Sequence, residues 1–308
     1  MHRRHFLSAL AAAPLLQARP NKIDRTRLSP IADEVSKTSM ADVYTFVEKF
    51  GLKNLELRDV PGERIHFYKL PEDRLHAFAK EFQSRGINIS FFNTPFLKFT
   101  LPGTEPKRSR PETPEAKQKR LDREQKMFDS RIEDLKQGIR AAHILGVDKL
   151  RIFTFTRVAE PESVYPRVAE IISEMAHVAE KEKIHLLVEN EGSQNTASSA
   201  ELGKFIGHIH AKNVGLNWDT FNVPTEQERA FPEGYQFIPK KRLLNLQAKG
   251  KTLLLDKNKL DWGGLFRALE KDGYKGCVGL ETHFLDGTDP EKSKLAMAEM
   301  IRLAENPT

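Results

Sequence analysis

The chain has 308 residues, with 49 Lys and Arg against 43 Asp and Glu, a formal charge of +6 and one cysteine. A single cysteine excludes an internal disulfide. The charges are mixed in sign along the chain, which gives no basis for a nucleic-acid face, and no stretch reaches the ~20 apolar residues a membrane span needs.

Residues 1–18 read MHRRHFLSALAAAPLLQA, a basic start, a short apolar middle and a small residue, Ala18, at a plausible cut site. These are the three parts of an export signal. Arg3-Arg4 followed by Phe6-Leu7 resemble a twin-arginine signal, which implies export to a periplasm, already folded, by this route. Removing the segment leaves about 290 residues, within the range of a single (β/α)8 barrel, here expected over 24–308. Cys277 lies in an apolar run and reads as a buried, inert thiol.

From there the chain alternates in a βα rhythm. An apolar run at 27–33 precedes a helical pattern at 39–51, which opens on Ser39 and closes on Gly51. A run at 52–57 precedes PEDRLHAFAKEFQSRG (71–86), with Pro at its start and Gly at its end. The run at 87–92 leads through the mixed-charge segment 105–127, read as a solvated helix start, into one helical pattern from about 115 to Gly146. Runs at 148–155, 184–189, 213–218, 242–248 and 276–281 follow, with helical patterns at 164–183, 198–211, 261–273 and 290–306. Eight runs alternating with helices predict a parallel sheet covered by helices, a (β/α)8 TIM barrel in one domain. An open dinucleotide-binding sheet is disfavoured, because no G-x-G-x-x-G occurs.

Four of these runs end on, or close to, a metal-capable side chain: Glu189 in LLVEN, Asp219 in GLNWD, Gln247 in LLNLQ and Glu281 in CVGLE. Strand C-termini of a parallel barrel converge on its active face. Three carboxylates and an amide meeting there can hold one divalent cation.

Four segments carry a resemblance: GLKNLEL, IHLLVENEG, VGLNWDTFN and the long LDWGGLFRALEKDGYKGCVGLE. They resemble motifs of the xylose-isomerase-like barrel superfamily, in its sugar-phosphate isomerase and epimerase branch. The resemblance implies that Glu189, Asp219 and Glu281 bind one metal ion. It places Gln247 where relatives carry a histidine ligand, in Gln247-Ala248-Lys249-Gly250. Three carboxylates and an amide carbonyl suit Mn2+, with Mg2+ or Ca2+ as alternatives, better than Zn2+. The implied chemistry is proton abstraction α to a carbonyl through an enediolate, with Glu189 and Glu281 as the acid–base pair.

Other residues are candidates to touch substrate. Asn222 follows Asp219 by three and is either a substrate contact or a helix cap. Trp218 either stacks on a sugar or fills the core, and Lys249 either neutralises an oxyanion or points to solvent. His283 shares a strand side with Glu281, and Glu56 and Arg58 share one side of the second strand, with Glu56 the better candidate for the pocket mouth. Arg151 reads as solvated at the bottom of the fourth strand, and Phe91, Phe92 and Phe96 around Asn93 read mainly as core. The expected partner is a small carbohydrate, with no nucleic acid and no membrane span. Alternatives are a β-eliminating lyase or dehydratase on 3-keto sugars or glycosides, a non-catalytic sugar-binding barrel and an AP-endonuclease-like nuclease. The last needs several histidines at strand ends. Nothing in the chain reads out its oligomeric state.

Overall fold

A computed structural model describes residues 21–107, 111–222, 229–249, 260–282 and 290–306. The export segment 1–18, Gly250 and His283 lie outside the described residues. Among the described residues the apolar runs form eight strands: β1 Leu28–Pro30, β2 Asn54–Leu57, β3 Asn88–Phe96, β4 Lys149–Ile152, β5 His185–Glu189, β6 Val214–Asp219, β7 Leu243–Lys249 and β8 Val278–Glu281. The sheet order is β1-β8-β7-β6-β5-β4-β3-β2, and every ladder is parallel. A parallel bridge between Ile31 and Glu56 crosses the seam from β1 to β2, so the sheet returns on itself as a nearly closed barrel. Closure leaves no long edge to template aggregation.

Helices at Met40–Phe50, Glu72–Ser84, Tyr165–Lys181, Ser199–Ile206, Trp262–Lys271 and Pro290–Glu305 match the expected patterns. Their ends follow from local chemistry. Ser39 caps Met40–Phe50 by accepting from the Asp42 N–H, and Gly51 ends it at φ 62°, a left-handed conformation that costs a glycine little. Ser198 and Glu201 form a reciprocal capping box at the start of Ser199–Ile206.

Three expectations change. The single helix from about 115 to 146 is two helices, Pro114–Asp129 and Arg131–Leu145, meeting at Ser130. The Ser130 hydroxyl donates to Asp134 Oδ2 at 2.8 Å, the kind of local side-chain bond that competes with helix continuity. Within the mixed-charge stretch, Arg120 and Glu124 are buried and paired at 2.9 Å rather than solvated. Cys277 precedes β8 and is half-buried, and burial raises its thiol pKa. No helix among the described residues is long and apolar enough to cross a membrane.

The outward faces of the strands pack against the helices as the main core, which includes Leu55, Leu150, Leu186, Leu216, Leu246 and Trp218. Replacing Ser198 by Ala removes one half of the capping box and is expected to lower stability by about 1 kcal/mol in urea titration, with an unchanged m-value.

Candidate active site

Side chains alternate between the two faces of a strand. On β7 this sends Asn245, Gln247 and Lys249 inward together, at increasing height in the barrel. On β6 it sends Asn217 and Asp219 inward and Trp218 outward. Trp218 is fully buried against the helices, donates to Ser199 Oγ at 3.1 Å and packs on Tyr235. Of the two alternatives for Trp218 the structure agrees with core filling and not with stacking on a sugar: the alternation that brings Asp219 into the barrel takes Trp218 out of it.

Glu189, Asp219 and Glu281 are the last residues of β5, β6 and β8. All three are buried, and each offers a carboxylate oxygen within 4.8 Å of the others. Oxygens around one hard cation lie ~2.0–2.6 Å from it, so a pair can stand up to ~5 Å apart across it. The donor set fits a divalent ion on those grounds. Gln247, the expected fourth ligand, is paired with Asp219 in the register of β6 and β7. It donates through Nε2 to Glu56 Oε2 at 2.6 Å, and its buried Oε1 has no hydrogen-bond partner among the described residues. The last residue of β7 is Lys249, which the register sets beside Glu281.

Cations surround the triad. Arg151 Nη1 lies 3.2 Å from Glu189 Oε2, and the same guanidinium donates to the carbonyls of Asn93 and Thr94. Arg151 is buried, not solvated as expected, because β4 ends at Ile152 and puts it near the top of the strand. Arg58 Nη1 donates to Glu281 Oε1 at 3.0 Å, and its other nitrogens hold Asp33 and Glu34. Lys249 Nζ stands 3.5 Å from Asp219 Oδ2, 3.6 Å from Glu281 Oε2 and 3.3 Å from Asn222 Oδ1. Asn222 also donates to Asp219 Oδ2 at 2.9 Å, and the backbone N–H groups of Phe221 and Asn222 donate to Oδ1. Asn190 clamps the end of β6, accepting from the Asp219 N–H and donating to the Asp219 carbonyl, each at 2.9 Å.

Burial dominates the electrostatics. It raises the pKa of the Glu189 carboxyl against the pull of Arg151, and Glu281 and Asp219 add to the rise. It raises Asp219 likewise, with Lys249 opposing. For Lys249, burial favours the neutral amine, but Asp219, Glu281 and Glu189 outweigh it and the pKa is raised.

Glu56 does not reach the mouth. It is fully buried in the barrel interior, where Asn93, Gln247 and Asn245 donate to it at 2.8, 2.6 and 3.0 Å. Asn245 also donates to Asn217 Oδ1, and Asn217 donates to Glu189, so a buried amide chain links Glu56 to the triad. Gly279 makes room for this layer. A Cβ there would lie 2.3 Å from Gln247 Oε1 and 2.5 Å from Glu56 Oε1. The sequence analysis missed Asn217 and Asn245; each stands two residues before a candidate ligand, so period-two spacing within an apolar run is the signal that would have found them.

Three neutral amides do not offset the loss of water around Glu56. Burial pushes its carboxyl from 4.5 up to about 7, although the hydrogen bonds from Asn93, Gln247 and Asn245 lower it. That rise corresponds to about 3 kcal/mol against the charged form. The folded state therefore binds this proton more tightly than the unfolded chain, and stability falls as pH rises from about 4.5 to about 7. Chemical denaturation across that window is expected to show wild type losing up to about 3 kcal/mol more than Glu56→Gln; equal slopes would contradict the assignment.

A family profile described as "xylose isomerase-like TIM barrel" matches residues 44–304. Solved structures share the fold at low identity. 3-Keto-D-glucoside 4-epimerase from E. coli has a TM-score of 0.63 at 12% identity, over 89% of this chain and 98% of its own. The probable 3-DHS dehydratase AsbF from Bacillus anthracis has a TM-score of 0.64 at 13% identity, over 91% and 99%. The IolI protein with a zinc atom has a TM-score of 0.61 at 17% identity, over 91% and 96%. No curated protein sequence matches the chain. The barrel, its polar strand ends and the matched span agree: the chain belongs to the xylose isomerase-like TIM barrel family.

Proposed function

We propose that the protein is a metal-dependent sugar isomerase or epimerase that moves a proton at a carbon α to a carbonyl. The observation that carries this reading is the buried triad of Glu189, Asp219 and Glu281, with acid–base groups on both β5 and β8. Those three residues would hold the ion, with the Gln247 carbonyl as the proposed fourth donor, and hard oxygen donors favour Mn2+, with Mg2+ or Ca2+ as alternatives. When bound, the ion supplies a Lewis acid for the substrate's carbonyl oxygen.

The chain's own residues supply the rest. Glu189, at the end of β5 beside Arg151, is the proposed proton carrier on that strand. Glu281, faced by Arg58 and Lys249, is its counterpart on β8. Asn222 orients Asp219 and borders Lys249, and both are proposed to contact substrate oxygens. Elimination from a 3-keto sugar is the second reading, since it shares the proton-abstraction step and a probable dehydratase shares the fold. Among the described residues no histidine joins the acidic triad, whereas the nuclease reading needs several.

Incubating free and 3-keto sugars with the protein and Mn2+ in D2O is expected to place deuterium at the α-carbon, by NMR. Glu281→Gln is expected to lower turnover by at least about 100-fold, the scale of one acid–base group. Turnover fully retained after verified metal removal would exclude this reaction.

Residues 1–18 are proposed to export the barrel of 24–308 to the periplasm. Fractionation of cells expressing the full chain is expected to show periplasmic protein, lost when Arg3→Lys and Arg4→Lys are combined.

A further inference from the structure

We infer that Lys249 is the resident counter-ion shared by Asp219 and Glu281 in the acidic triad, and that a divalent ion enters the site only by displacing its ammonium. The inference rests on the proposed ion site and adds a competitor within the chain.

The geometry of the carboxylate oxygens carries it. Asp219 Oδ1 receives the backbone N–H groups of Phe221 and Asn222, and Glu281 Oε1 receives Arg58. The other oxygen of each, Asp219 Oδ2 and Glu281 Oε2, faces Lys249 Nζ, at 3.5 and 3.6 Å, and Asp219 Oδ2 also accepts from Asn222 Nδ2 at 2.9 Å. These distances exceed the ~2.8 Å of a close ammonium–carboxylate bond, so the ammonium stands between two strands' carboxylates rather than on one. Only 8% of the Lys249 side chain is exposed, so its charge has little water to compensate it elsewhere. Gln247 meanwhile commits its amide N–H to Glu56. The seventh strand thus brings a positive charge to the triad where an ion would stand.

Two consequences follow. Without an ion, Lys249 keeps Asp219 and Glu281 together against their mutual repulsion. With an ion present, two cations would compete for the same two oxygens, and the flexible four-carbon stem lets the ammonium withdraw.

Mn2+ titration calorimetry on metal-free, full-length wild type and Lys249→Gln tests this, together with thermal unfolding of each in chelator and in Mn2+. Lys249→Gln is expected to bind Mn2+ at least about tenfold more tightly, because one like charge at contact range is gone. Its melting temperature is expected to rise more on adding Mn2+ than that of wild type. Lys249→Arg, which keeps the charge, is expected not to tighten binding. Equal or weaker binding by Lys249→Gln, with wild type binding, overturns the inference and leaves the proposed ion-dependent reaction standing. Binding by Lys249→Gln alone supports the inference and removes that ion dependence from the native protein. Binding by neither overturns both. A second reading needs no variant: acylation of Lys249 by a small activated ester, followed by mass spectrometry, is expected to accelerate on adding Mn2+ to wild type. An unchanged rate with Mn2+ bound overturns the displacement.

Discussion

Six carboxylates lie buried within one end of this barrel and its first turn: Asp33, Glu34, Glu56, Glu189, Asp219 and Glu281. A buried charge without compensation costs several kcal/mol. The surrounding structure answers this requirement. Arg151 crosses from β4 to Glu189 on β5, Lys249 spans β6 to β8, and Arg58 gathers Asp33, Glu34 and Glu281. Each pairing also fixes a strand neighbour, so the electrostatics and the order of the barrel are one arrangement.

Glu56 is the exception that shows the rule. Its direct partners are amides, and it alone among these six is held by three neutral amide donors, from the two strands β3 and β7. Barrel interiors are commonly filled by branched apolar side chains. Here an amide layer fills this level and passes hydrogen bonds on to Glu189. Such a network is demanding, since every member must find a partner, and it specifies one packing of β2, β3, β6 and β7.

The strand count, the strand order implied by a βα rhythm and most helix bounds were legible in the sequence, because buried parallel strands and capped amphipathic helices leave strong local patterns. The polar residue closing β5, β6 and β8 was equally plain. The seventh strand was not. Its apolar run reaches only Ala248, which made Gln247 look terminal, while the ladder extends to Lys249. Arg151 was misplaced for the converse reason: the run from 148 to 155 overstates a strand that ends at Ile152. Partners such as Arg58 with Glu281 are 223 residues apart, a separation that no local pattern encodes.

That separation bears on how the chain acquires its site. Arg58 ties the second strand and the turn after the first to the last strand, so the acidic cluster exists only once the two ends of the chain have met. Contacts of such span form slowly, because loop closure must come before they stabilise anything. A partly synthesised chain holds Asp33, Glu34 and Arg58 long before Glu281 emerges. Its acidic and basic groups can pair among themselves but cannot assemble the triad. Competence for chemistry therefore arrives with the closing strand, all at once, and an incomplete barrel carries none of it.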